Sequence, residues 1–313
     1  MRALTAWVGA LWLAGCAAWV PPQTAELRAR VPQGLPVQVE LTSVPFVAQT
    51  PLNCGPASLA MVLGHLGRAV TADELADAVF LPARGGSLQA EMLAGTRRHD
   101  ALALRIPGQL EAVLREVHAG HPVIVLQNLG LSIVPILHYA VVVGYDLERG
   151  EIILRSGTTE RETLSLRTFE FTWGRIGHWA FVALAPGELA VTADARATAE
   201  AAVAFERAAA PASAERVYEA MLRRWPDDLL AAIGVGNARM AQGDPAGAAR
   251  AWEIAALRHD SAAAWNNLAL ARWQLGDRAG ALVALGQAER RVGGAEPTWA
   301  AAVQATRQTI EQP

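Results

Sequence analysis

The chain has 313 residues, 52% of them hydrophobic and 18% charged, with a formal net charge of -3. At roughly 100–200 residues per domain this length makes two domains, each able to bury a core without disulfide staples. The near-neutral balance, with no basic block, excludes a nucleic-acid binder, and the apolar content excludes a disordered chain. All 27 basic residues are arginine, so lysine Schiff-base and lysine-base chemistry is excluded. The two cysteines are Cys16 and Cys54.

Arg2 gives a short positive start, Ala3 to Leu13 is almost wholly apolar, and Leu13-Ala14-Gly15-Cys16 follows. This is the layout of a secretory signal, too short for a permanent membrane span. Its ending resembles the bacterial lipobox, which implies a signal peptide over 1–15 and a diacylated Cys16 as first residue of the mature chain. The alternative is an ordinary signal with Cys16 incidental. Buried acyl chains, at ~0.8 kcal/mol per methylene, would hold the protein on a membrane. No Asp follows Cys16, which by the same resemblance points to the outer membrane of the bacterial cell envelope, facing the periplasm. Residues 16–34, with four prolines or glycines after Cys16 and little periodicity, are expected to be a tether. Cys54 would then be a lone thiol in an oxidising compartment, either buried and inert or kept for its reactivity.

From 35 to 187 short apolar runs mix with helical patches. Val37 to Val47 has strand texture, and Leu52 to Leu66 starts at a turn and continues with helical spacing. Thr71 with Glu74 is a capping-box signature; Leu88 to Arg98 and Gly108 to Ala119 follow as helices. Strand runs come next: Val123 to Leu126, His138 to Tyr145, Ile152 to Leu154 and Trp179 to Val182. Helices first and an antiparallel sheet afterwards is an α+β layout.

After Pro186 the strand signal ends and a 33-residue period appears. Gly243-Asp244 recurs as Gly276-Asp277, Ala248 as Ala281, Trp252 as Leu285 and Ala255 as Ala288. This resembles the tetratricopeptide repeat, a pair of antiparallel helices per unit. Three repeats over 195–228, 229–261 and 262–294, with a capping helix from 296 to 312, make an all-α domain over 195–312. A plain helical bundle is the alternative. Repeat stacks present concave surfaces to partners, so a protein partner is expected there.

The chemistry is expected at Gln49-Thr50-Pro51-Leu52-Asn53-Cys54-Gly55-Pro56. A cysteine on a turn opening a helix sits near unsatisfied amides and the positive dipole end, which favours the thiolate and can stabilise an oxyanion. Pro56 suits the first turn because it lacks an amide proton, and Gln49 could bring a side-chain amide to the same point. Among seven histidines, His138 stands at the mouth of the apolar strand Tyr139 to Tyr145, where a base can be presented to a facing helix. His65 lies near a helix end; His99 and His259 are in charged, loop-like surroundings. His118 and His121 have no cysteine or carboxylate cluster to complete a zinc site, and His178 precedes a strand.

Gln49 with Cys54-Gly55-Pro56-Ala57-Ser58-Leu59-Ala60, then His138-Tyr139-Ala140-Val141-Val142-Val143-Gly144-Tyr145-Asp146, resembles the papain-like cysteine peptidases of the bacteriocin-processing, double-glycine leader peptidase type. The resemblance covers about residues 40 to 185. It implies a papain-like domain over 35–187, with Cys54 as nucleophile, His138 as general acid/base, Gln49 as oxyanion donor and an acyl-enzyme on Cys54. The transporter-linked members have Asp before the cysteine, where this chain has Asn53, and one more residue between glutamine and cysteine. Asp146 is about 26 Å along the strand from His138 at ~3.3 Å per residue. The family's Asp or Asn after an apolar run is here Ser156, which can accept a hydrogen bond but carries no charge.

The expected protein is a lipid-anchored cysteine peptidase with no cofactor and no metal. Its expected partners are a peptide or protein substrate, a protein on the repeats, and a membrane through Cys16. Two alternatives stay open: a non-catalytic peptide-binding scaffold, and acyl-transfer or amidase chemistry on the same thiol.

Overall fold

The computed structural model describes residues 20–50 and 52–312; Cys16 and the signal segment lie outside them. Two compact units form the chain, one of residues up to Met92 with Arg105–Val182, the other of Leu93–Leu104 with Ala183 onward.

Pro22–Ala29 is a helix, α1, where a tether was expected. Local composition hid it because its hold is tertiary. The Glu170 carboxylate accepts the backbone N–H of Gln23 at 2.9 Å and of Thr24 at 2.6 Å, and the Thr24 hydroxyl at 2.6 Å. A carboxylate there satisfies first-turn donors and complements the helix dipole. Leu110 N–H donates to Gln23 Oε1, so α1 is fixed from a second side.

The strand expected over Val37 to Val47 is confined to β1, Gln38–Glu40, because the chain turns at Leu41–Val44 and Pro45 offers no ladder donor. Then come α2 (Cys54–His65), α3 (Ala72–Val79), β2 (Phe80–Leu81), β3 (Gly86–Ser87), α4 (Gln89–Arg98), β4 (Leu102–Arg105) and α5 (Leu110–His118). The capping box at Thr71 and Glu74 is formed in both directions. The rest comprises β5 (Val123–Asn128), β6 (Leu137–Asp146), β7 (Glu151–Ser156), β8 (Thr159–Ser165), α6 (Leu166–Gly174) and β9 (Ala180–Leu184). The sheet runs β4-β9-β5-β6-β7-β8, with β1 also paired to β6. Strand β8, Thr-Glu-Arg-Glu-Thr-Leu-Ser, has no apolar alternation; it is a charged edge strand held by its ladder to β7. Helix α2 buries every residue from Gly55 to Leu63 and packs on β6 and β5.

One irregularity sets the face on which side chains meet. From the turn, β6 and β7 pair Asp146 with Glu151, Tyr145 with Ile152 and Gly144 with Ile153, but then Val142 with Leu154 and Val141 with Arg155. Val143 is therefore an extra residue, a β-bulge, and every pairing beyond it is shifted by one. Gly144 beside it lacks a side chain for good reason: a Cβ there would lie 2.6 Å from Val39 O of β1.

The second unit continues as helices α7 (Ala195–Glu206), α8 (Pro211–Arg224), α9 (Leu229–Ala241), α10 (Pro245–His259), α11 (Ala262–Gln274), α12 (Arg278–Val292) and α13 (Ala300–Glu311). The 33-residue period is realised as helical hairpins whose matched positions are buried: Ala248 and Ala281, Trp252 and Leu285, Ala255 and Ala288. Arginines span adjacent helices at the same period. Arg239 bridges to Glu215 at 2.7 Å, and Arg272 to Glu253 at 2.6 Å. Glycine lets α9 meet its neighbours: a Cβ on Gly234 would lie 2.6 Å from the Tyr218 ring, and one on Gly236 2.2 Å from Trp252 Nε1. That indole also donates to Ile233 O at 3.1 Å, so it cannot retreat freely. Gly236→Ala should cost about 1–3 kcal/mol through overpacking. In α12, Gly286→Ala should gain about 0.5–1 kcal/mol, since its nearest atom is 3.8 Å away. Urea melts of both variants check this; equal effects would refute the close approach.

Candidate active site

Cys54 is the first residue of α2. The chain reaches it through Leu52, which sits in the left-handed region at φ 70°, a conformation costly for a residue with a side chain. Asn53 is the N-cap but makes no side-chain cap hydrogen bond, so its side chain leaves the first-turn amides to another acceptor. Its Oδ1 is buried without a hydrogen-bond partner, and so is Ser87 Oγ. A Cβ on Gly55 would lie 2.6 Å from Ser87 Oγ, so that hydroxyl borders the turn carrying the thiol. Buried polar groups are ordinarily satisfied, and these two beside the Cys54 turn are exceptions.

Gln49 is nearly fully buried and joins three elements. Its Nε2 donates to Ser58 Oγ at 3.0 Å and Tyr139 O at 3.1 Å, with Cys54 O at 3.4 Å. Its Oε1 accepts the Gly157 N–H at 2.7 Å, and its own N–H donates to Gly157 O at 2.8 Å. The first turn of α2, the residue after His138 and the residue after Ser156 are thus tied to one side chain. The two amide protons expected to serve an oxyanion point at Ser58 and Tyr139 instead. Ser58, one helical turn after Cys54, and Tyr139 were missed as parts of the site; the i, i+4 spacing from Cys54 could have signalled Ser58.

His138 Nε2 lies 3.0 Å from Ser156 Oγ. The bulge makes this possible. Val141 is opposite Arg155, so Ser156 lies one step on and shares the face of His138. Burial lowers the His138 pKa, and the Glu162 carboxylate on β8 opposes that with a smaller upward pull. The Tyr139 phenol is pushed up by burial and, second, by the nearby Cys54 charge; its hydroxyl donates to Ser87 O at 3.2 Å. Asp146 is at the far end of β6, where it accepts the Arg149 N–H in the turn.

Three of the other histidines have structural partners. His65 Nε2 is 3.1 Å from Gly120 O, His121 Nδ1 is 2.7 Å from Glu116 Oε2, and the His178 ring meets Trp173 edge-on at 4.8 Å. Among the described residues, no group of three or more His, Cys, Asp or Glu could hold a metal ion.

Residues 41–181 match the sequence profile of the Peptidase_C39 like family. Among solved structures, the chain is similar to a putative C39-like peptidase from Bacillus anthracis, at 21% identity and TM-score 0.41, over 47% of this chain and 97% of that one. It is also similar to a double glycine motif protease from an AMS/PCAT transporter in complex with the leader peptide, at 19% identity and TM-score 0.34, over 45% and 90% of the two chains. A third likeness is to the type III secretion translocator chaperone SycD of Yersinia enterocolitica, at 18% identity and TM-score 0.35, over 37% and 91%. No curated protein matches the chain.

Glu162→Gln removes the charge that props up His138. The imidazole pKa, followed by NMR titration, should fall further below its ordinary value. A depressed histidine pKa means stability is full above about 6.5 and declines as pH falls through the gap to the folded value. The variant should therefore widen that acid-side loss; an unchanged or raised pKa would contradict the pairing.

Proposed function

We propose that the chain is a cysteine peptidase, lipid-anchored through Cys16 on the periplasmic face of the outer membrane. In this reading residues 35–187 cleave peptides and residues 195–312 dock a substrate or partner. The observation that carries the chemistry is the Gln49 brace: it holds the turn bearing Cys54 against the strand end bearing His138, whose ring is itself hydrogen-bonded to Ser156. The family match over residues 41–181 supports the same reaction class.

With Nε2 turned to Ser156, Nδ1 of His138 is the nitrogen left to take the proton of the Cys54 thiol. The sulfur then attacks a peptide carbonyl carbon, and the first-turn amides of α2 stabilise the oxyanion. The C–N bond breaks, the imidazolium protonates the leaving amine, and a thioester remains on Cys54. Water gives a proton to His138, attacks the thioester and releases the acid, which restores the thiol. Gln49 acts here as a positioning residue, its amide protons already engaged.

A non-catalytic scaffold is the second reading, favoured by Ser156: a hydroxyl orients the ring but supplies no charge to hold an imidazolium. Iodoacetamide labelling of Cys54 at neutral pH separates the two. For an activated pair, His138→Ala should slow labelling about 100-fold or more, and Ser156→Ala up to about tenfold, one hydrogen bond's worth. Labelling at a free thiol's rate in all three proteins would leave the scaffold. Mass spectrometry of peptide products would separate hydrolysis from acyl transfer.

A further inference from the structure

The connection from β5 to β6 is a hairpin with an unusual surface. From Asn128 to Leu137 the sequence is Asn-Leu-Gly-Leu-Ser-Ile-Val-Pro-Ile-Leu, without a charge. Leu129, Leu131, Ile133, Val134, Ile136 and Leu137 are all exposed, Ile133 to 86%. Large contiguous apolar exposure marks an interaction surface or a membrane contact. We propose that this hairpin is a membrane-insertion element that docks the first unit on a lipid bilayer at the boundary of headgroups and acyl chains.

Three observations favour a bilayer over a protein partner. The first is that exposed apolar residues come from both arms and the tip of the hairpin, including neighbours such as Ile133 and Val134 and Ile136 and Leu137. A peptide or second copy covers one side of a protrusion, whereas lipid surrounds it.

Second, the hairpin brings much of its backbone already paired, as an apolar medium demands. Leu129 N–H donates to Ile136 O at 2.8 Å, and Val134 N–H to Leu131 O at 3.1 Å. Asn128 Oδ1 accepts the N–H of Gly130 at 3.0 Å and of Ile136 at 2.9 Å.

Third, the neck carries the groups suited to the polar boundary. Arg175 donates to Asn128 O at 3.3 Å and Gly130 O at 2.6 Å, and its guanidinium lies 5.0 Å over the exposed Phe171 ring. A cation and an aromatic ring at the base place charge at the headgroups and apolar surface below. Pro21 and Pro22 line the same cavity as Phe171 and Arg175. Cys16 is five residues before Pro21, at most about 18 Å of extended chain. An anchor there, the one element that rests on the reading above, would lie within that reach of the cavity that Arg175 shares with the hairpin's neck.

The test uses full-length protein carrying Cys16→Ala, so that no acyl chain contributes, and no activity readout, so it stands or falls apart from the peptidase reading. Co-sedimentation with phosphatidylethanolamine and phosphatidylglycerol vesicles should show binding, and adding Ile133→Asp and Val134→Asp should weaken it at least tenfold. In a Cys16→Ala, Cys54→Ala background, an environment-sensitive dye on Ile133→Cys should shift to the blue with vesicles. The same dye on Glu160→Cys, at the exposed β8 edge, should not shift. Absence of binding, or binding indifferent to the two aspartates, would overturn the proposal. So would an aspartate effect confined to peptide capture, or to the dimer–monomer balance in sedimentation velocity; those results would assign the surface to a substrate or a second copy.

Discussion

One buried carboxamide holds the site together. Gln49 offers two donors and an acceptor, and each is spent on a different piece of backbone or side chain: Ser58 on α2, Tyr139 on β6, and Gly157 just past β7. A buried amide is costly unless satisfied, so any movement that separates the helix end from the strand end leaves polar atoms unpaired. This penalty keeps the Cys54 turn in place although Leu52 before it adopts a left-handed conformation. Rigidity is thus supplied from the loop preceding the helix rather than from the helix itself.

The pairing of His138 with Ser156 depends on a subtler device. Without the extra residue at Val143, the register set by Asp146 and Glu151 would continue and put Ser156 opposite Val141, on the face away from His138. The apolar run Ala140-Val141-Val142-Val143 carries no sign of the bulge, since every residue in it suits a regular strand. Sequence reasoning therefore names His138 and Ser156, which lie within hydrogen-bond distance, but not the geometry that lets them touch. The motif residues Gln49, Cys54 and His138 are legible because their types and spacing are chemically distinctive. The Gln49 bond pattern is not legible, because it is decided by which acceptors the fold brings near.

The same division holds elsewhere. The capping box at Thr71 and the 33-residue helical period are local patterns, and both are present in the structure. Helix α1 is not locally written, since its first-turn amides find their carboxylate 146 residues away in Thr24 and Glu170. Strand β8 is similarly hidden, because an edge strand needs only a ladder on one side and its side chains can all be polar.

The arginines of the helical unit have a consequence for how it comes apart. A guanidinium keeps its charge to pH values beyond 12, so the interhelix pins do not weaken through their cationic side. The carboxylate paired with Arg239 does titrate. Burial alone would raise the Glu215 pKa, but its hydrogen bonds to Arg239 and Gln242 outweigh that and hold it below the ordinary carboxylate value. Such a group contributes stability above its unfolded pKa and loses it as pH falls through the folded one. The seam between α8 and α9 is therefore asymmetric toward solvent conditions: alkali finds no lysine ammonium to discharge, while acid loosens it as Glu215 takes up its proton.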